Sequence, residues 1–162
     1  ERFRLNIGNA EMERYAAQLG ADCAFFITAE PSFATGKGDI LSPVDTPQHN
    51  LKGYFLAIVK PPIAISTAEA FKNIVPKKPI NCCRDVVRQP IATWKNELTN
   101  DFEQPVFALY PELGDIKREL YAQGALYAQM SGSGSSIFGL FRKRPNTIEN
   151  LFPNAFVYIT CL

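Results

Sequence analysis

The sequence predicts an α+β protein: a ferredoxin-like sandwich over residues 52–162, preceded in residues 1–51 by the trailing part of another domain. Three observations predict this. Residues 52–162 run strand, several helices, strand, strand, helix, strand, an order suited to helices on one face of a mainly antiparallel sheet. Residues 1–51 offer one helix and up to three strands, too few for an independent domain. The composition is globular, 46% hydrophobic and 20% charged over 162 residues, enough for one domain with a real core or one domain plus a piece of another.

The charge balance narrows the partners. Lys and Arg total 17 against 16 Asp and Glu, so no broad field favours nucleic acid or an anionic membrane, and neither is expected as a partner. No apolar run approaches the roughly 20 residues that cross a bilayer and no signal peptide opens the chain, so the expected location is cytoplasmic. Cys23, Cys82, Cys83 and Cys161 show no Cys-x-x-Cys spacing and, with the single His49, assemble no zinc ligand set; reduced, mostly buried thiols are expected. His49 stands in a loop among Pro47, Gln48 and Asn50, a poor setting for a catalytic triad. Glu1–Asn9 is a polar lead-in that reads as the continuation of a longer chain.

In order along the chain, Asn9 can cap a helix whose apolar positions Met12, Tyr15, Ala16 and Leu19 share one face, with Glu11 and Glu13 near its positive end. Gly20 is expected to end it in a left-handed C′ conformation, and Cys23–Thr28 to follow as an apolar strand. Asp22 then lies at a helix-to-strand junction. It reads either as a turn carboxylate bonding local N–H groups or as a carboxylate able to orient a substrate hydroxyl and take its proton. Phe33–Gly36 and Asp39–Val44 form the arms of a hairpin with Gly36-Lys37-Gly38 at its tip, where Lys37 reads as a surface charge, with a phosphate contact as the alternative. Asp45–Asn50 is the best internal boundary.

Tyr54–Val59 has the continuous apolar character of a buried strand, ended by Pro61-Pro62. Ser66 and Glu69 have capping-box spacing, placing Thr67 in the first turn of a helix. That helix end can hold a polar or anionic ligand group, although the capping box accounts for the sequence equally well. Val75–Pro79 is a breaker, followed by helical segments near Asn81–Arg88 and Ile91–Leu98, with Trp94 assigned to the core. Asn100-Asp101 can cap a helix through about Leu109, tolerating Pro105 near its start, and Pro111 opens another through about Gln123 with Leu113, Ile116, Leu120 and Tyr121 on one face. Ala125–Met130 and Ser136–Phe141 are strands joined by Ser131–Ser135. Arg142-Lys143-Arg144 is a solvated edge, and a short helix near Asn146–Leu151 and a strand at Ala155–Cys161 complete the chain.

The stretch Met130–Phe141, Met-Ser-Gly-Ser-Gly-Ser-Ser-Ile-Phe-Gly-Leu-Phe, combines bare backbone and hydroxyls between two apolar runs. Glycine permits close approach to the main chain, and successive N–H groups in such a turn can form an anion-binding concavity. A flexible hairpin loop is the plain alternative. It matches neither the Walker A loop nor the dinucleotide fingerprint, because no Gly-Lys-Ser/Thr follows and the next element is a strand.

Three separated segments, Leu19–Phe26, Ile65–Phe71 and Met130–Phe141, together with Ala34–Leu41 and Leu98-Thr99-Asn100-Asp101, resemble the later motifs of the GHMP kinases. Their order and spacing cover nearly the whole chain. The resemblance implies a C-terminal GHMP kinase domain at 52–162 behind the end of an N-terminal kinase domain at 1–51. It also implies ATP-dependent phosphorylation, with Mg2+, of the 2-hydroxyl of a small molecule, 4-diphosphocytidyl-2-C-methyl-D-erythritol, in non-mevalonate isoprenoid biosynthesis. Asp22 matches the family's catalytic aspartate, Thr67 a residue near the substrate pocket, and Ser131, Gly132, Ser133 and Gly134 the loop that closes against the reacting phosphates. The family's glycine-rich phosphate loop, upstream lysine and cytosine-recognising residues have no counterpart here, so the 162 residues alone are expected to be inactive. Two other readings stand beside this one: a non-catalytic binding or interaction domain on the same scaffold, and a GHMP kinase for a sugar, homoserine or mevalonate-type acceptor. Apolar residues of Cys23–Ile27, if uncovered, would favour self-association.

Overall fold

A computed structural model describes residues 7–44, 51–72, 74–75 and 78–162, with the side chain of Ala21 excepted. The chain divides into two compact units, Glu1–Thr46 and Pro47–Leu162. The boundary expected at Asp45–Asn50, with His49 inside it, lies outside the described residues, as do the start of the polar lead-in and part of the Val75–Pro79 breaker.

The first unit opens with helix α1 (Asn9–Leu19), whose N-cap is Gly8 and not Asn9; no side chain caps it. Its end also departs from expectation. Gly20 adopts extended backbone, φ 176° and ψ 152°, while its N–H still bonds Ala16 O. Of the expected apolar face only Ala16 is buried, and Leu19 is 85% exposed. The apolar run Cys23–Thr28 is not a strand. A 3-10 turn spans Ala21–Cys23 and a single helical turn, α2 (Phe25–Thr28), follows, closed by Ala29 at φ 51° with its N–H on Phe25 O. A short apolar run carries no decisive period. Here the buried Ala24 and half-buried Cys23 and Ile27 fall at helical spacing, leaving Phe25 and Phe26 outward. Two strands, β1 (Ser32–Thr35) and β2 (Ile40–Pro43), form an antiparallel hairpin in which Thr35 faces Ile40 across the tip Gly36–Asp39. Gly36 and Gly38 take positive φ there, and Asp39 Oδ1 accepts the Lys37 N–H at 3.0 Å.

The second unit is built on a four-stranded sheet of β3 (Phe55–Lys60), β4 (Tyr127–Met130), β5 (Ile137–Phe141) and β6 (Phe156–Cys161). Spatial order is β4-β5-β3-β6 and every pairing is antiparallel. Between β3 and β4 lie α3 (Thr67–Lys72), α4 (Cys83–Val86), α5 (Ile91–Glu97), α6 (Glu103–Leu109) and α7 (Pro111–Ala122); α8 (Ile148–Leu151) precedes β6.

Helices cover both faces of the sheet, not one. Alternate residues of a strand point to opposite faces. Ala57 and Val59, Ala128 and Met130, and Ile137 and Phe141 face a core shared with Ala70 of α3, Val106 of α6, Leu113, Ile116 and Leu120 of α7, and Ile148 of α8. On the reverse face Tyr127 and Leu140 pack with Val86 of α4 and with Ile91 and Trp94 of α5. The indole N–H of Trp94 donates to Gln89 O at 2.9 Å, so this side chain is a satisfied core residue. The continuous apolar character of β3 is what a strand inside a doubly covered sheet requires.

The thiols are a further correction. All four cysteines are free, but Cys82, Cys83 and Cys161 are exposed and Cys23 is half-buried, because the first two stand at the entry to α4 and Cys161 ends an edge strand.

Leu120 is fully buried in the larger core, so Leu120→Ala should cost about 2–5 kcal/mol in chemical denaturation. Burial, with lesser contributions from Tyr121 and Glu103, pushes the Tyr127 phenol well above its ordinary range. Above about pH 10 the unfolded chain would lose this proton while the fold keeps it, so stability should fall as pH rises. Tyr127→Phe should reduce that slope by at most about 1.4 kcal/mol per pH unit, measured by denaturation at pH 9–11.

Candidate functional site

The Ser/Gly loop is a structured connection. Ser131 N–H bonds Ser136 O at 2.8 Å, extending the β4–β5 ladder by one step, and Gly134 N–H bonds Ser131 O at 3.0 Å to close the turn. Gly132 and Gly134 hold φ of 54° and 93°, a region that L side chains avoid. A Cβ on Gly134 would also stand 2.9 Å from Met130 Sδ and 3.2 Å from Ile65 Cδ1. Ser135 is buried and its hydroxyl donates to Ile63 O at 2.6 Å. The loop is therefore seated on the segment that leads from β3 into α3.

The loop's dipoles are sorted. Carbonyls of Met130 and Gly132 each accept from Asn100 Nδ2 at 2.8 Å, and the Ser131 carbonyl accepts from Gly134. Among the described residues, nothing accepts the N–H of Gly132 or Ser133. With the Met130, Ser131 and Gly132 carbonyls engaged and the successive Gly132 and Ser133 amides open, the tip offers N–H groups to an anionic oxygen. Hollows of about 510 Å³ and about 410 Å³ flank it. Thr99, Asn100, Asp101, Gln129 and Gly132 contribute to the first, Leu56, Ile58 and Ser136 to the second, and both include Ser131 and Phe138.

Thr67 is the first residue of α3 and is exposed. Ser66 Oγ accepts the Glu69 N–H at 3.1 Å, which is half of the expected capping box. The Glu69 carboxylate accepts from Tyr110 Oη at 3.2 Å instead of completing it. The contacts of Ile63 and Ile65 with the loop place the approach to Thr67 and the Ser131–Gly134 turn in one region of the second unit.

Asp22 belongs to the first unit. It sits exposed in the 3-10 turn, and its carboxylate makes no hydrogen bond or ion pair among the described residues. The expected alternative, a carboxylate consumed by local N–H groups, is thus not its arrangement. A Cβ on Gly38 would lie 3.6 Å from Asp22 Oδ1, so the carboxylate stands beside the Gly36-Lys37-Gly38 tip.

Sequence reasoning missed Asn100. It was legible as a helix-capping residue, yet α6 begins after Phe102, and Asn100 instead accepts the Phe102 N–H on Oδ1 at 2.9 Å while its amide nitrogen reaches the loop. The signal was its place beside Asp101 in Leu98–Asp101, a segment read from the sequence as resembling the GHMP kinases; its partners, 30 and 32 residues away, leave no local pattern.

Comparison with known proteins agrees along the chain. Residues 84–156 match the family model described as GHMP kinases C terminal. A protein named 4-diphosphocytidyl-2-C-methyl-D-erythritol kinase from Bacteroides fragilis is 49% identical over 160 residues, covering 99% of this chain and 57% of that protein. Its namesake from Solidesulfovibrio magneticus is 38% identical over 143 residues, covering 83% and 47%. The chain thus spans about half the length of these relatives. A crystal structure of 4-(cytidine 5'-diphospho)-2C-methyl-D-erythritol kinase shares the fold, with a TM-score of 0.75 at 23% identity over 96% of this chain and 57% of that one. Homoserine kinase from Cytophaga hutchinsonii is less similar, with a TM-score of 0.56 at 17% identity over 97% and 59%. Over residues 84–156, the chain is similar to the C-terminal domain of the GHMP kinases.

Proposed function

We propose that this chain is the C-terminal part of a kinase that transfers the γ-phosphoryl group of ATP to the 2-hydroxyl of 4-diphosphocytidyl-2-C-methyl-D-erythritol. The observation that carries the reading is 49% identity over 99% of the chain to a protein bearing that kinase's name. The exposed, unengaged carboxylate of Asp22 and the open amides of Gly132 and Ser133 support it.

In this reading the acceptor oxygen forms a bond to the γ-phosphorus as the bridge to the β-phosphate breaks and ADP departs. Asp22 orients the hydroxyl and receives its proton. Little covalent chemistry falls to the protein in phosphoryl transfer, so its contribution is position and charge. Amides of Ser131–Gly134 meet phosphate oxygen, and Thr67 lies toward the acceptor. Magnesium, when bound, would offset the charge of the nucleotide's phosphates. Among the described residues no three His, Cys, Asp or Glu side chains gather as a metal site, and no step is assigned to the ion.

The direct test is phosphoryl transfer by the full-length protein that carries this chain, with ATP, magnesium and the acceptor. Asp22→Asn should lower kcat by about a hundredfold or more while leaving the folded far-UV spectrum unchanged. Turnover retained in Asp22→Asn would remove this carboxylate from the chemistry; no turnover in the folded parent would favour a binding module on the kinase scaffold. Because the chain spans about half of its relatives, the 162 residues alone should show no turnover in the same assay, and activity there would contradict the assignment of essential parts to sequence outside them.

A further inference from the structure

Strand β4 lies at the edge of its sheet, so among the described residues one side of its backbone has no neighbouring strand. Side chains take the place of that strand at its end. Glu103 Oε1 accepts the Met130 N–H at 2.9 Å, and Asn100 Nδ2 donates to Met130 O and Gly132 O, both at 2.8 Å. Asn100 is itself fixed, because its Oδ1 accepts the Phe102 N–H at 2.9 Å. Two carbonyl acceptors on one side and an N–H donor on the other set the amide's orientation without ambiguity. Glu103 is held in turn by Lys117, with 2.6 Å between Nζ and Oε2 and only 13% of the Glu103 side chain exposed.

From this arrangement we propose that Asn100, backed by the Glu103–Lys117 pair, is a positioning residue that keeps the Ser131–Gly134 turn in its ligand-receiving form. The inference rests on the kinase reading for its catalytic consequence, not for the latch itself. By drawing the Gly132 carbonyl inward, Asn100 turns the Ser133 N–H of the same peptide unit outward, and the Gly134 N–H on the Ser131 carbonyl does the same for the Gly132 N–H. Without it, two carbonyls lose their partner, and the turn can rotate oxygen toward a phosphate that needs N–H. Such a change acts on the charged reacting group more than on ligand capture, so it should fall on kcat.

Asn100→Asp isolates the latch, since it keeps shape and the acceptor for Phe102 N–H but has no donor for either carbonyl. Asn100→Ser is the second variant: it can retain the local turn, is too short to span both carbonyls and brings no charge. Amide hydrogen exchange in the full-length protein should rise about tenfold or more at Ser131 and Gly134 in both variants, with α7 and β3 keeping their protection. In the phosphoryl-transfer assay kcat should fall about tenfold or more, with KM for ATP changing less than about threefold. Unchanged exchange at Ser131 and Gly134 in Asn100→Ser would overturn the latch. Increased exchange with kcat unaltered would overturn its catalytic role. If the unsubstituted protein shows no turnover, the kinase reading and that role fail together, while the exchange result decides the latch independently.

Discussion

The outward edge of β4 is the constraint on which the second unit's site depends. Every backbone N–H and C=O on an edge must find water or a side chain, and burial beneath helices removes the water. Tyr121 Oη bonds Ala128 O at 3.2 Å, Glu103 bonds Met130 N–H, and Asn100 bonds the Met130 and Gly132 carbonyls. These groups come from α7, the start of α6 and the segment just before it. The apolar stripe of α7, with Leu113, Ile116 and Leu120 buried, fixes the helix from which Tyr121 and Lys117 reach β4 and Glu103. Core packing and loop conformation are therefore linked through a few polar contacts at one strand edge.

That link explains why a stretch of serine and glycine, flexible in isolation, is ordered here. Ligand loops bind more tightly and act more effectively when their conformation is set before the ligand arrives. Ser135 fastens one side to Ile63, Asn100 fastens the other, and positive φ at Gly132 and Gly134 supplies the turn between them. Glycine at 134 answers a further demand, because a Cβ there would collide with Met130 Sδ. In the proposed kinase, backbone and not side chains is thus the recognition surface.

Much of this fold is legible in the sequence, for identifiable reasons. Leu113, Ile116 and Leu120 recur at helical spacing and do form a buried face, while apolar runs either side of Ser131–Ser135 announce the β4–β5 hairpin. Trp94 reads as core and is core. Cys23–Thr28 misleads because five apolar residues and a threonine suit a strand as well as a helical turn, and its own contacts choose the turn. The second face of the sheet was hidden because α4 and α5 are short, and the buried positions Val86, Ile91 and Trp94 do not show by themselves which face they cover. Among the candidate residues, the loop and Asp22 stand out by composition and placement, whereas Asn100 holds the loop through contacts across 30 residues that depend on the finished fold.

In the proposed kinase, the Ser131–Gly134 amides face the reacting phosphates. The most direct measurement is amide chemical-shift mapping of the full-length protein titrated with a non-hydrolysable ATP analogue and magnesium, then with the acceptor. Saturable shifts at Gly132 and Ser133, followed by shifts around Asp22 when the acceptor is added, are the predicted result. Saturable binding elsewhere that leaves Ser131–Gly134 unmoved would contradict the account.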